Sequence, residues 1–170
     1  MKKIILLIVT SVVLFSCGNN KKNNTEVESS VIKDKYSIVM DAIYEKDDSV
    51  KVIYKTQNYY QYDKPTVFKV KGSALMQRLF ISLPEGIAAE NFTIIPSTNK
   101  TQDYLTIKNI SIMDDKKIVA DGDNYKFSEF FNTDTSFSWD TKNLRFNLNH
   151  TNQYPPAMVG TQNLESLMVK

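Results

Sequence analysis

From Val31 onward apolar residues recur at every second position, and that period constrains the fold more than any other feature of the chain. Tyr36, Ile38, Met40, Ala42 and Tyr44 fall in one phase, with Ser37, Val39, Asp41 and Glu45 in the other. A period of two places successive side chains on opposite faces of a strand, whereas a helix needs a repeat near 3.6. Lys46-Asp47-Asp48-Ser49 reads as a solvated turn. Val50, Val52 and Tyr54 then alternate with Lys51 and Lys55, so this stretch is predicted to be a β-hairpin. Asn58 to Pro65 is a polar, aromatic connection, Thr66 to Lys71 is a strand with Phe68 and Val70 inward, and Gly72 breaks it. Leu75, Gln77, Leu79, Ile81 and Leu83 carry the next strand to the Pro84-Glu85-Gly86 turn, and Phe92 with Ile94 marks a short strand ended by Pro96. Ser97 to Gln102 is a polar loop.

Leu105 and Ile107 share one phase while Ile110 and Ile112 share the other, so the flip at Lys108-Asn109 predicts a β-bulge, whose extra residue turns the later side chains over. Asp114-Asp115-Lys116 is another solvated turn before Ile118 to Ala120, and Phe127, Phe130 and Phe131 sit on a short helical or irregular segment. Phe137 and Trp139 pair with Leu144, Phe146 and Leu148 as a last hairpin around Asp140 to Asn143. Leu164, Leu167 and Met168 have the i, i+3, i+4 spacing of one or two helical turns packed on the sheet edge. Roughly eight or nine short strands joined by turns predict an all-β chain, with a single antiparallel β-sandwich or jelly-roll-like domain over residues 31–170.

The N-terminus obeys different rules. Met1-Lys2-Lys3 precedes an uncharged run from Ile4 to Phe15, closed by Ser16-Cys17. That run falls well short of the ~20 apolar residues a membrane-spanning helix needs, and its charged start and small closing residues are the parts of a secretory signal. Leu14-Phe15-Ser16-Cys17 resembles the lipobox of bacterial lipoproteins. The resemblance implies a signal peptide over residues 1–16, cleavage before Cys17, and lipidation of Cys17 with palmitate-type acyl chains that anchor the protein to a membrane. Cys17 is the one cysteine of the chain, so no intrachain disulfide exists, and lipidation would spare an exported protein a free thiol. Residues 17–30 are almost all polar and read as a flexible tether. Gly18 stands where an Asp signals inner-membrane retention in many Gram-negative lipoproteins, and no acidic cluster comes directly after Cys17. The expectation is a lipid-anchored protein of the bacterial cell envelope, on the outer membrane and facing the periplasm.

The formal charge of +2 includes Lys2 and Lys3, so without the leader the side chains sum to about zero. With no field of one sign, and with Arg78 and Arg145 as the sole arginines, a nucleic-acid partner is not expected. A domain of about 150 residues buries some two thirds of its surface and needs no staples.

A second resemblance spans residues 36–168. Asp47-Asp48, Leu83-Pro84, Phe92-Thr93-Ile94-Ile95-Pro96, the run from Ile107 to Ile112, and Tyr154-Pro155-Pro156 form a pattern similar to extracytoplasmic β-sandwich domains fused to bacterial membrane glycosyltransferases. It implies a β-sandwich and a cell-envelope glycan context. Where that pattern carries Arg and Asp in the short strand, this chain has Thr93 and Ile95, so no site transfers.

His150 is the one histidine, flanked by Asn149 and Thr151 with no neighbouring carboxylate, and reads as a solvent-facing loop residue. No His or Cys cluster offers metal ligands, Asp121-Gly122-Asp123-Asn124 lacks the length and closing Glu of a calcium loop and reads as a turn, and no cofactor is expected. Aromatics are the stronger signal. Tyr59, Tyr60 and Tyr62 crowd one connection and Trp139 lies by a hairpin turn, where their rings could stack on sugar faces while Asn58, Gln61, Asp63 and Asn143 bind hydroxyls. These four aromatics are the candidate ligand-binding residues. The expected function is a non-catalytic binding module, with glycans as the first candidate ligand. The alternatives are a protein–protein accessory subunit of an envelope complex and, third, a hydrolase that uses a carboxylate pair.

Overall fold

The structure, a computed structural model, describes residues 35–169. The leader 1–16, Cys17 and the tether 17–30 lie outside the described residues, as does Lys170. The described chain is all-β. Its strands are β1 (Tyr36–Tyr44), β2 (Asp48–Thr56), β3 (Tyr59–Tyr60), β4 (Thr66–Val70), β5 (Ser73–Ser82) and β6 (Asn91–Ile95), then β7 (Tyr104–Asp114) and β8 (Lys117–Ala120). After a 3-10 turn (Lys126–Glu129) come β9 (Phe131–Thr133), β10 (Phe137–Asp140), β11 (Arg145–Leu148) and β12 (Met158–Gly160), then one short helix, α1 (Gln162–Met168).

Two antiparallel sheets pack face to face as a β-sandwich. The first runs β10-β11-β7-β1-β5 with β8 also on β7, and the second runs β3-β2-β6-β12-β9 with β4 also on β2. Lys71-Gly72 joins β4 to β5, and residues 134–136 join β9 to β10, so the chain crosses between the sheets at both lateral sides. Between the sheets lies one apolar core, which includes Ile38, Met40, Tyr44, Val50, Val52, Phe92, Ile94 and Met158. Every one of these is fully buried, and the inward phase read from the sequence is the phase that packs.

The predicted bulge is present. Asp41 pairs with Asn109 and Ala42 with Ile107, so Lys108 is the extra residue. Magnitudes show why the chain tolerates it. Without the shift, Ile110 and Ile112 would face outward, at about 1.5–3 kcal/mol for each lost burial, against about 1 kcal/mol for an interrupted ladder hydrogen bond. All four of Leu105, Ile107, Ile110 and Ile112 are fully buried.

The first predicted hairpin is wrong. β1 pairs with β5 and β7, while β2 pairs with β3, β4 and β6, so residues 45–47 carry the chain from one sheet to the other. Alternation reports which face of a strand is buried and not which strand lies beside it, so an arch and a hairpin look alike in sequence. The double Asp is what holds the arch, and its second member is not solvated. Asp48 is 8% exposed. Its Oδ1 accepts the backbone N–H groups of Ser49 (2.7 Å), Thr98 (2.8 Å) and Asn99 (3.0 Å), and its Oδ2 accepts the Ser97 hydroxyl at 2.6 Å. Asp47 accepts the Gly72 N–H at 2.8 Å and the Lys71 ammonium at 2.6 Å.

Three smaller corrections come from pairing and burial. The Asn58–Pro65 connection contains β3, which forms a hairpin with β2 through Gln57 and Asn58, both at positive φ (51° and 64°). That is the backbone twist of a type I′ turn. The phenylalanine-rich segment is divided, with Phe127 on the 3-10 turn and Phe131 starting β9. The C-terminal helix forms, but Leu164 and Met168 are buried whereas Leu167 is exposed, and the helix contacts β6, β8 and β12 rather than a sheet edge alone.

Tyr44 ties the arch to the core. Its buried hydroxyl donates to the Pro96 carbonyl at 2.7 Å, and burial pushes its pKa well above that of a free phenol. Tyr44→Phe removes the donor and leaves that carbonyl unsatisfied, so it should destabilise the fold by about 1–3 kcal/mol in urea unfolding.

A candidate aromatic binding site at the sheet edge

β10 is an outer strand of its sheet. Trp139 and Phe146 are cross-strand partners there, and Phe146 in turn pairs with the core residue Leu105. The Trp139 side chain therefore belongs to the inward face at the point where that face meets solvent, and it is 42% exposed. Its ring meets Phe146 edge-on at 4.9 Å and Tyr125 edge-on at 5.8 Å. Phe146 also touches Phe137 (5.6 Å) and Phe127 (6.3 Å). Tyr125, Phe127, Trp139 and Phe146, with Ser128, surround a cavity of about 250 Å³, and Phe127 is buried at its base.

The segment that completes this notch is docked on the bulge. β7 pairs with β11 at Tyr104 and Leu105 and with β8 from Ile112 onward, which leaves a gap on that edge between them. The Tyr125 N–H fills it by donating to the Lys108 carbonyl at 3.0 Å. Gly122 approaches the same edge so closely that a Cβ would lie 2.0 Å from the Ile110 carbonyl oxygen, and only glycine fits. Asp121-Gly122-Asp123-Asn124 thus owes its glycine to packing, with Asp121 Oδ1 accepting the Asp123 N–H at 3.2 Å. Asn124 and Tyr125 are both in the left-handed region (φ 54° and 68°), and Leu144, in the β10–β11 turn, has φ 51°. A bulky residue seldom adopts that conformation, which costs roughly 1–3 kcal/mol and persists where the surroundings hold it. Two of these strained positions, Tyr125 and Leu144, flank the Trp139–Phe146 pair.

A chain of hydrogen bonds runs from this segment across the outer face of the sheet. The Gly122 N–H donates to Ser111 Oγ (3.0 Å), Ser111 donates to Asn109 Oδ1 (2.7 Å), and Asn109 Nδ2 donates to Asp41 Oδ2 (3.3 Å). Arg78 closes the chain with two bonds to Asp41, at 2.7 and 2.8 Å. The forked Arg78 guanidinium holds the Asp41 carboxyl below the usual carboxylate range despite its burial. Asp41 and Asp48 are the buried carboxylates among the described residues, and both oxygens of each are taken up within the fold.

The structure does not unite the four aromatics expected from sequence. Adjacent residues on a strand face opposite ways, so Tyr59 and Tyr60 cannot form one platform. Tyr60 and Tyr62 do meet, at 5.9 Å, while Tyr59 stands apart and is 75% exposed. Burial pushes the Tyr60 phenol up, beside the Lys55–Glu165 ion pair at 2.6 Å. Trp139 lies at the other lateral side of the sandwich, at β10. Tyr125, Phe127 and Phe146 were not among the candidates. The phase that Phe146 shares with Leu148 could have pointed to it, but nothing local in Asp123-Asn124-Tyr125 places that tyrosine on Trp139. His150 is not a free loop residue either: its Nε2 lies 2.8 Å from the Gln102 carbonyl, which makes that nitrogen the donor, and its ring packs edge-on against Tyr154 at 5.7 Å. Among the described residues no group of three or more His, Cys, Asp or Glu is placed to hold a metal ion.

Because the Asp41 pKa is depressed in the fold, its stabilising contribution is present above the unfolded value near pH 4 and is lost as pH falls through the lower folded value. Urea midpoints should therefore drop as pH falls below about 4, and Asp41→Asn should be less stable at pH 7 with a shallower acid limb. Comparison of the chain with protein-family models, curated proteins and solved structures gives no match, so the functional reading rests on this geometry.

Proposed function

We propose that the protein is a lipid-anchored component of the bacterial cell envelope whose β-sandwich acts as a non-catalytic binding module, with the Trp139 notch receiving the apolar face of a sugar ring. The observation that carries the reading is the half-exposed Trp139 ring beside a small aromatic cavity, fixed by a strained segment docked on the β7 bulge. The cavity is smaller than the ~300–1,000 Å³ typical of drug-sized ligands, so it suits one ring rather than an extended chain. Exposed aromatic rings are suited to stacking, and Trp139 keeps 42% of its surface exposed at the notch. Engagement of both buried carboxylates within the fold supports a binding role over an acid–base one. The lipobox-like leader supports the anchor: two or three acyl chains hold a protein durably at about 0.8 kcal/mol per buried CH₂. Gly18 after Cys17 supports a place on the outer membrane, and the lack of an acidic cluster directly after Cys17 supports the side facing the periplasm.

Trp139 is the one tryptophan, so it reports on its own site. Titrating the full-length protein in mild detergent with envelope and dietary-type polysaccharides should give a saturable emission shift with one glycan class. Trp139→Ala, measured by calorimetry, should reduce that affinity at least tenfold with the β-sheet circular dichroism unchanged. Equal affinity in the variant would remove the notch as the site.

A second reading, an accessory subunit of an envelope complex, is favoured by one feature. β5 pairs with β1 along one edge, and its other edge takes no strand among the described residues. Leu75, Met76 and Phe80 are exposed along it, and its one charged residue, Arg78, is neutralised by Asp41. Unprotected edges of this kind accept an extended segment from another protein. An envelope protein that copurifies in equal amount with the wild type, and is lost when Met76 and Phe80 are both changed to Lys, would establish this reading. Retention by the double variant would exclude this edge.

A further inference from the structure

The opposite lateral side of the sandwich carries a second cavity of different chemistry. It lies between the β2–β3 hairpin and the turn after β5, has a volume of about 480 Å³, and is lined by Tyr54, Thr56, Gln57, Gln61, Lys64 and Ile87 among others. Its polar groups are left free by the fold. Tyr54 is 9% exposed, with its ring in the core, yet its hydroxyl makes no hydrogen bond among the described residues. The hydroxyl is not among the fully buried polar atoms, so it reaches solvent at the mouth of the cavity and is free to meet a ligand. The side chains of Thr56, Gln57 and Lys64 also make no hydrogen bond among the described residues, and the Gln61 side chain makes a single long one, 3.4 Å to the Tyr59 carbonyl. No carboxylate lines the cavity; the nearby Glu90 lines the adjoining depression, where its Oε2 accepts the Asn58 N–H at 2.9 Å.

The backbone holds this arrangement in place. The Gln61 N–H donates to the Tyr54 carbonyl (3.0 Å), the Glu90 N–H donates to the Lys55 carbonyl (2.8 Å), and the left-handed Gln57 turns the hairpin back over the cavity. Residues carrying two hydroxyls, two amides and one ammonium thus line one cavity together with the apolar Ile87, within the size range of small-molecule sites. Hydroxyls and amides match the alternating donors and acceptors of a sugar ring, the apolar wall matches its C–H face, and an ammonium with no competing carboxylate calls for an anion.

The geometry points to a binding site for a hexuronate residue, a sugar whose carboxylate meets Lys64 while its hydroxyls meet Tyr54, Thr56, Gln57 and Gln61. The site is independent of the Trp139 notch, and either can fail without the other. The test is calorimetric titration of the full-length protein in mild detergent with glucuronate and galacturonate, with glucose and galactose as neutral counterparts. At least one uronate should bind tenfold or more tightly than its neutral counterpart, and the preference should weaken with added salt. Lys64→Gln should abolish the preference. Tyr54→Phe should reduce uronate affinity about fivefold and leave the thermal midpoint unchanged, because the hydroxyl makes no bond within the fold. Trp139→Ala should leave uronate binding intact. Absence of uronate binding, equal binding of the neutral sugars, or full affinity in Tyr54→Phe would each overturn the assignment.

Discussion

One extra residue, Lys108 in β7, is the constraint on which the rest of the molecule depends. It lets a single long strand present Leu105 and Ile107, and then Ile110 and Ile112, to the same core. It also leaves its carbonyl facing an unpaired stretch of the β7 edge, where the Tyr125 N–H takes it. Through Gly122, Ser111 and Asn109 the same segment is tied to Asp41 and Arg78 on the outer face. A device that serves the core therefore also positions the ring that stands against Trp139. Bulges recur beside functional sites because the unpaired backbone group and the sharper twist re-aim the neighbouring side chains.

The arch between β1 and β2 has a comparable reach. Because it crosses between the sheets, its two acidic residues cannot both face water, and Asp48 instead gathers the 97–99 loop around its carboxylate. Asp47 reaches the Lys71-Gly72 connection, which joins the sheets on that lateral side. Two adjacent aspartates thus brace two separate crossings, and Tyr44 adds a buried bond to Pro96 just beyond the short strand β6.

The two lateral sides of the sandwich differ in kind. At β10 the exposed surface is an aromatic notch, with rings packed against rings and Ser128 as its polar lining residue. Beside the β2–β3 hairpin the surface is polar and hydrogen-bonding, and a core tyrosine opens onto it with its hydroxyl unpartnered. Stacking alone tolerates many rings, whereas an array of unsatisfied donors with one cation discriminates by hydroxyl placement and charge.

Local chemistry made much of this readable in advance. The period of two located the strands and most of their inward faces, although Leu75 of β5 and Leu144, in the β10–β11 turn rather than a strand, are exposed. The phase flip at Lys108-Asn109 located the bulge, and Phe137 to Leu148 gave the last hairpin. Each of these is a statement about neighbours in sequence, which the chain states directly. Strand partnership is not, because β1 beside β2 and β1 beside β7 bury the same residues. Of the candidate site, Trp139 was legible as a ring near a turn, but its partners Tyr125 and Phe127 come from a segment 12 or more residues away that is bent through left-handed conformations. Tyr59, Tyr60 and Tyr62 look like one cluster in sequence and are split by the pleat of a two-residue strand. The sequence by itself determined the fold class, the core faces and the bulge, since each is set by alternation along one strand. The tertiary structure alone decided which strands share a sheet, which carboxylates are buried, and which aromatic and polar groups converge, because those depend on contacts between segments whose separation in sequence carries no record of their distance in space.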